Sequence, residues 1–291
     1  MKFPHPMRRR DDRSERRLRR GMYILPSLFT SANIGAGYYA IVQTTQGSPT
    51  AARHFDLAAI AIGFAVMFDS LDGAVARMTN TSSDFGRELD SLADVITFGV
   101  APAMLAFFWG FHFLPAVTIP MTRVRLSEIG MIASFLFLIA GASRLARFNI
   151  QVNPEPSNPG RPGKKYFVGM PIPAAAGVLA SVVHFTAGNP VEVGWKAGIW
   201  CTLVVGCAFL MVSTWRFFSA KGIKVRSRHP FWVVIVVALM IAGAVELSRP
   251  FLLVMAMGYM FSGILWRLQW IFRKKNDPQT GPPFQEASRV S

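Results

Sequence analysis

Four aspartates in the segment FDSLDGAVARMTNTSSDFGRELDSLADVITFG fall at helical spacing. Asp69 and Asp72 are three residues apart, and Gly86, Asp90 and Asp94 follow one another at intervals of four, so each set shares one helix face. Arg77 lies two turns beyond Asp69 on the first face. The connector from Met78 to Phe85 is short enough for two helices to pack side by side and bring the four carboxylates together. With no comparable cluster of lysines nearby, four carboxylates repel one another, and a bound divalent cation removes that conflict. Carboxylate oxygens suit hard ions such as Mg2+ or Mn2+. Four of them can hold two ions about 3.5–4 Å apart, an arrangement that clamps both sides of a phosphoryl displacement. Gly73 and Gly86 present bare backbone to a bulky ligand, and Arg77 offers phosphate a charge-assisted contact. Helix caps and solvated loop charge are the plainer alternative. That alternative suits Asp84, which stands in the connector beside Thr81, Ser82 and Ser83. It does not account for four aspartates phased on two adjacent faces.

The elements that carry these faces are apolar. Of the 291 residues, 52% are hydrophobic and only 16% charged, where a soluble domain carries about a quarter; the mean hydropathy is +0.34. Runs near 20 apolar residues match ~30 Å of hydrocarbon at helical rise. Eight such segments are expected, at roughly 22–45, 55–78, 86–111, 128–149, 170–188, 195–218, 230–247 and 250–272. The breakers fall between them: Gly47 and Pro49, Pro115 and Pro120, Pro154 through Gly163, Gly188 and Pro190. The fold class is therefore an all-α polytopic membrane bundle. A basic tail (1–21) precedes a membrane domain (22–272), and a polar tail (273–291) follows it. The start of the chain lacks a clear small-residue cleavage site, so the first apolar segment is read as a membrane helix rather than a signal peptide.

Placing the N-terminus inside puts 26 of the 31 Lys and Arg residues on the cytoplasmic side. That bias predicts an even number of spans with both termini cytoplasmic. It also puts the loop between the two aspartate helices on the cytoplasmic face. The net charge of +15 sits at the ends of apolar segments, where it meets anionic headgroups; nucleic acid is not an expected partner. Cys201 and Cys207 lie six apart on one helix and do not pair. His5, His54, His112, His184 and His229 show no metal-ligand spacing and are read as structural or incidental.

The full pattern, Asp69-x2-Asp72-Gly73-x2-Ala76-Arg77-x8-Gly86-x3-Asp90-x3-Asp94, resembles the signature of the CDP-alcohol phosphotransferase family at each of its eight defined positions. The resemblance implies a six-helix core at about 22–218 with two extra C-terminal helices, a homodimer, and a site open to the cytoplasm. It implies that Asp69, Asp72 and Asp90 bind the metals, with Asp94 contributing and acting as the base that deprotonates the acceptor hydroxyl. It further implies that Gly73, Arg77 and Ser83, with Gly86, Thr30 and Asn33, receive the CDP moiety.

Three other stretches, ILPSLFTSANIGAGYYAI, GASRLARFNIQ and FVGMPIPAAAG, resemble the bacterial phosphatidylserine synthase branch of that family. The chain has Ser27 where the branch usually has asparagine. The branch implies transfer from CDP-diacylglycerol to L-serine with release of CMP. A serine carboxylate needs cations. Arg144 and Arg147, three apart near Asn149, can supply them to that carboxylate and to the lipid diphosphate, or they can serve as headgroup anchors. Lys164 and Lys165 carry the same two readings, whereas Lys221, Lys224, Arg226 and Arg228 are read as topological. Glycerol 3-phosphate, inositol phosphate or another small alcohol remains an alternative acceptor. An ion-coupled transporter is the rival from another class, and the absence of a second aspartate series in the later segments counts against it.

Overall fold

A computed structural model describes residues 11–79, 84–114, 120–150, 166–218 and 248–276, with side chains at 28–70, 86–114, 124–150, 168–217 and 249–269. Among the described residues, eight α-helices follow in order: α1 (Asp11–Gln46), α2 (Arg53–Thr79), α3 (Asp84–Asp94), α4 (Ala101–Phe107), α5 (Pro120–Ile150), α6 (Ile172–Phe185), α7 (Gly194–Val212) and α8 (Ser248–Asn276). α3 and α4 form one continuous rod, joined by a π-helical stretch at Val95–Val100 and extended by another at Phe108–His112.

The apolar segments read from the sequence are helical, as expected, but several edges differ. α1 starts at Asp11 and so takes in basic residues assigned to a tail. α2 runs to Thr79 and α3 begins at Asp84, so the connector shrinks to 80–83 and Asp84 belongs to a helix. The sixth segment stops at Val212 because Ser213 turns extended, and Arg216–Phe218 then forms a strand, β2. β2 pairs antiparallel with β1 (Tyr166–Val168), placing Tyr166 opposite Phe218 and Val168 opposite Arg216. This small ribbon is an addition to the helical bundle, and its partners lie 50 residues apart. The seventh expected segment, 230–247, lies outside the described residues.

Among the described residues, four helices are long and apolar enough to cross a membrane: Gly86–His112, Val124–Ile150, Gly194–Val212 and Arg249–Gln269; α6 is a shorter apolar helix. Their packing has a membrane character. The buried positions are rich in small side chains, including Ala58, Ala61, Ala65, Ala101, Ala175 and Ala176, which let helix backbones approach where hydrophobicity does not drive association. Large apolar side chains such as Phe64, Met67, Ile132, Phe135, Ile199 and Phe209 point outward, as a lipid-facing surface requires.

α1 packs on α2, α2 on α6, α6 on α8, and α5 on α7, while the α3–α4 rod runs between α1, α5 and α6. The close approach of α1 to the first π stretch needs a glycine: a Cβ on Gly37 would run into Oγ1 and Cα of Thr97.

At the end of α2 remote from the aspartates, Asp56 receives His184 Nδ1 at 2.6 Å and lies 3.9 Å from Arg249 Nη2, which ties α2, α6 and α8 together. The sequence left His184 as structural or incidental; its partner, 128 residues away, makes it structural. Asp56 and Asp69 are 13 residues apart on one helix, about 20 Å at 1.5 Å per residue, so this clamp and the aspartate site occupy opposite ends.

The same end depends on Gly188, whose φ is +76° and whose Cβ, if present, would run into the Ala52 carbonyl oxygen and fall 2.7 Å from Asp56 N. Gly188→Ala should cost about 1–3 kcal/mol, read as a lower thermal midpoint of the detergent-solubilised protein. Gly177→Ala, where a Cβ meets nothing within 4 Å, should leave that midpoint level or slightly raised.

Candidate active site

The site begins with two helices whose ends meet. α2 brings Asp69 to the cleft, and α3 brings Asp90 and Asp94 one turn apart. One oxygen from each of the three carboxylates lies within 4.8 Å of the other two. Asp69 and Asp90 are half-buried and Asp94 is 9% exposed. Three carboxylates converging in a partly dry cleft are the donor set that a hard divalent cation prefers, so the residues present fit a metal of that class. α2 carries Asp72, Gly73 and Arg77 in its next two turns, beyond the described side chains, and Gly86 opens the first turn of α3. Ser83, Lys164 and Lys165 lie outside the described residues.

The wall beside Asp94 is built by α1. Asp94 is the last residue before the π stretch, and π turns often mark functional positions because they re-aim the residues that follow. Thr97, three residues on, donates its hydroxyl to the Asn33 carbonyl at 3.0 Å. This contact locks α1 against the rod next to the carboxylates. Asn33 is 1% exposed, yet neither its amide nitrogen nor its amide oxygen has a hydrogen-bond partner among the described residues. A buried amide without partners costs roughly 1–3 kcal/mol, so one in this position points to a ligand that supplies both a donor and an acceptor. Thr30, one turn earlier, is 4% exposed.

The two arginines of α5 have separate placements. Arg144 is 9% exposed, its Nε is buried without a hydrogen-bond partner, and its electrostatic neighbours are Arg147, Tyr259 and Asp94. Arg147 instead donates Nη1 to the Val212 carbonyl at 3.4 Å. There it caps the C-terminus of α7, where a cation is favoured. Asn149 donates to Ser91 Oγ at 2.9 Å and so braces the end of α5 against α3, one residue from Asp90. Sequence reasoning assigned no role to α8, whose Tyr259 is an electrostatic neighbour of Arg144. The unpaired Asn33 amide also carries no sequence signal, because its isolation depends on how α1 packs.

Taken together, the bundle is an integral-membrane protein with an acidic cleft, where α2 and α3 bring together three carboxylates that could hold a cation. A sequence model of the CDP-alcohol phosphatidyltransferase family matches residues 23–208. The chain is 36% identical over 259 residues to a CDP-diacylglycerol–serine O-phosphatidyltransferase of Helicobacter pylori (strain ATCC 700392 / 26695), covering 86% of this chain and 92% of the relative. It is 34% identical over 240 residues to a protein of the same name from Mycobacterium leprae, covering 80% and 70%. Similarity extends to an archaetidylserine synthase of Methanothermobacter thermautotrophicus, 36% identical over 159 residues, 54% of this chain and 56% of the relative. The chain belongs to the CDP-alcohol phosphatidyltransferase family, and it is a transferase.

If the three described carboxylates form one cation site, removing either half-buried member should weaken it. Asp69→Asn and Asp90→Asn should each lower Mn2+ affinity by at least tenfold, given that losing even an outer-shell partner costs roughly 10–100-fold. Titration of purified protein followed by the Mn2+ paramagnetic signal reads this without any turnover. Unchanged affinity in both variants would refute the site.

Proposed function

We propose that the chain transfers the phosphatidyl group of CDP-diacylglycerol to the side-chain hydroxyl of L-serine, forming phosphatidylserine and releasing CMP. The observation that carries the choice of acceptor is Arg144, a nine-tenths buried cation with an unpartnered Nε and Asp94 among its electrostatic neighbours. A buried guanidinium with an unpaired N–H is costly, and an amino-acid acceptor brings a carboxylate close to the hydroxyl that reacts. The names of the relatives support the same acceptor: they differ in the lipid that they specify and agree on serine.

In this reading Asp69, Asp72 and Asp90 hold Mg2+ or Mn2+, two ions per site, with Asp94 contributing. When bound, the ions neutralise the diphosphate and stabilise CMP as it leaves. Asp94 accepts the proton of the serine hydroxyl. The freed oxygen attacks the β-phosphorus, and the bond from that phosphorus to the bridging oxygen breaks. Thr30, Asn33, Gly73, Arg77, Ser83 and Gly86 receive the CDP moiety, a role supported at Asn33 by its two unsatisfied amide atoms. Arg147 spends one N–H on Val212; its remaining donors, with Lys164 and Lys165, are assigned to the lipid phosphate.

The charge bias between connectors supports insertion in the cytoplasmic membrane through eight spans with both termini cytoplasmic. The catalytic domain then covers 22–272, between tails at 1–21 and 273–291. A homodimer is the assembly that the family resemblance implies.

Purified protein given CDP-diacylglycerol, Mn2+ or Mg2+ and a panel of labelled acceptors should release CMP and form a phosphatidylated lipid with L-serine. Asp94→Asn should lower turnover by roughly 10²–10⁴-fold, the contribution of a positioned base, while CDP-lipid binding persists. Near wild-type turnover in that variant would sink Asp94 as the base, and product formation with another acceptor alone would sink serine.

A further inference from the structure

The two aspartates that α3 brings to the cleft stand on a short helix. α3 has 11 residues, and after Asp94 the chain passes into the π stretch Val95–Val100. A π turn closes its hydrogen bonds one residue later than an α turn, so the rotational phase of the helix changes across it. The lock between Thr97 and Asn33 lies beyond that change. It holds the π stretch, and the setting of α3 needs an anchor of its own. α5 supplies one. Asn149 donates Nδ2–H to Ser91 Oγ at 2.9 Å, and Ser91 donates its own O–H to the Arg87 carbonyl, one turn earlier, at 3.0 Å. The Ser91 hydroxyl is thus acceptor and donor at once, which fixes its rotor. Asn149 and Ser91 are 58 residues apart, so the bond is a tertiary one.

Helix geometry shows what this bond controls. Ser91 stands about 100° round α3 from Asp90 and about 60° from Asp94. A hydrogen bond on that flank resists rotation of α3 about its axis. Rotation is the motion to resist: oxygens of Asp69, Asp90 and Asp94 lie within 4.8 Å of one another, and like charges so close push α3 to turn its pair away from α2. Ser91 and Thr97 stand three residues either side of Asp94 and are held from different helices, α5 and α1. We infer that Asn149 is a positioning residue for the cation site. Its bond to Ser91 keeps Asp90 and Asp94 turned toward Asp69, so that all three carboxylates are presented to a divalent ion together. The inference rests on the cation reading of those aspartates. It gives Asn149 a task separate from that of Arg144, five residues earlier on α5, which serves the acceptor in the proposed reaction.

Asn149→Ala removes the donor. Titrated with Mn2+ alone and followed by the paramagnetic signal, the purified full-length variant should bind roughly tenfold more weakly than wild type, the lower end of what a partner behind the ligands contributes. Ser91→Ala removes the acceptor and should match it, whereas Ser91→Thr keeps the hydroxyl and should bind like wild type. The double alanine variant should be no weaker than either single one, because the same bond is lost in each. At saturating Mn2+ the KM for L-serine should stay at the wild-type value. Wild-type Mn2+ affinity in both single alanine variants overturns the inference, even with a lowered thermal midpoint, since that marks a merely structural bond. A raised serine KM with unchanged Mn2+ affinity overturns it too and makes Asn149 an acceptor contact. Absence of Mn2+ binding in the wild-type protein overturns the cation reading and this inference with it.

Discussion

Mutual repulsion among carboxylates governs this molecule. Asp69, Asp90 and Asp94 place oxygens within 4.8 Å of one another. At the effective dielectric of about 20 that suits protein sites, each ionised pair at that distance costs about 3 kcal/mol or more. Nothing in an apolar bundle tolerates that without a countercharge or a fold that forces it. The fold forces it in two ways. α2 and α3 are joined by no more than four residues, so their ends cannot separate. α1 is locked to the rod just past Asp94 by the Thr97–Asn33 bond, and the missing side chain of Gly37 permits that closeness. The fold itself thereby holds the three carboxylates together.

This division of labour runs along the length of the bundle. At the far end, the charges satisfy one another: Asp56 has both His184 and Arg249. At the site end, Asn33 and Arg144 keep buried polar atoms without protein partners. Unsatisfied groups are destabilising, and a fold retains them where a ligand completes them.

What the sequence disclosed followed range. Asp69, Asp90 and Asp94 were legible because helical periodicity over three or four residues is local, and a connector too short to wander links their two helices. The apolar segments were legible for the same reason. Their edges were less so: the apolar run through Val212 continues into WRFF without a breaker, and only pairing with residues 166–168 reveals that Arg216–Phe218 is a strand. His184 looked incidental because its partner Asp56 is 128 residues away. Arg144 and Arg147 looked equivalent because they share a segment. Their difference arises from what each meets in space, α7's last carbonyl in one case and the carboxylate site in the other.

That separation of two arginines three residues apart follows from helix geometry. A step of three residues rotates a side chain by about 300°, so the two directions differ by roughly 60°. On a helix lodged between the rod and α7, 60° is enough to pass from one neighbour to the other. Arg147 turns to the end of α7 and holds the ribbon side of the bundle, whose Gly169 lies so near that a Cβ there would sit 3.4 Å from Nη2. Arg144 turns inward, where water is excluded and a single cation acts at full strength. By capping α7 just before β2, Arg147 also steadies the strand that carries Phe217, whose ring lies 5.8 Å from that of Tyr259 on α8. One turn of α5 thus carries both the charge at the site and the brace that orients the helix opposite it.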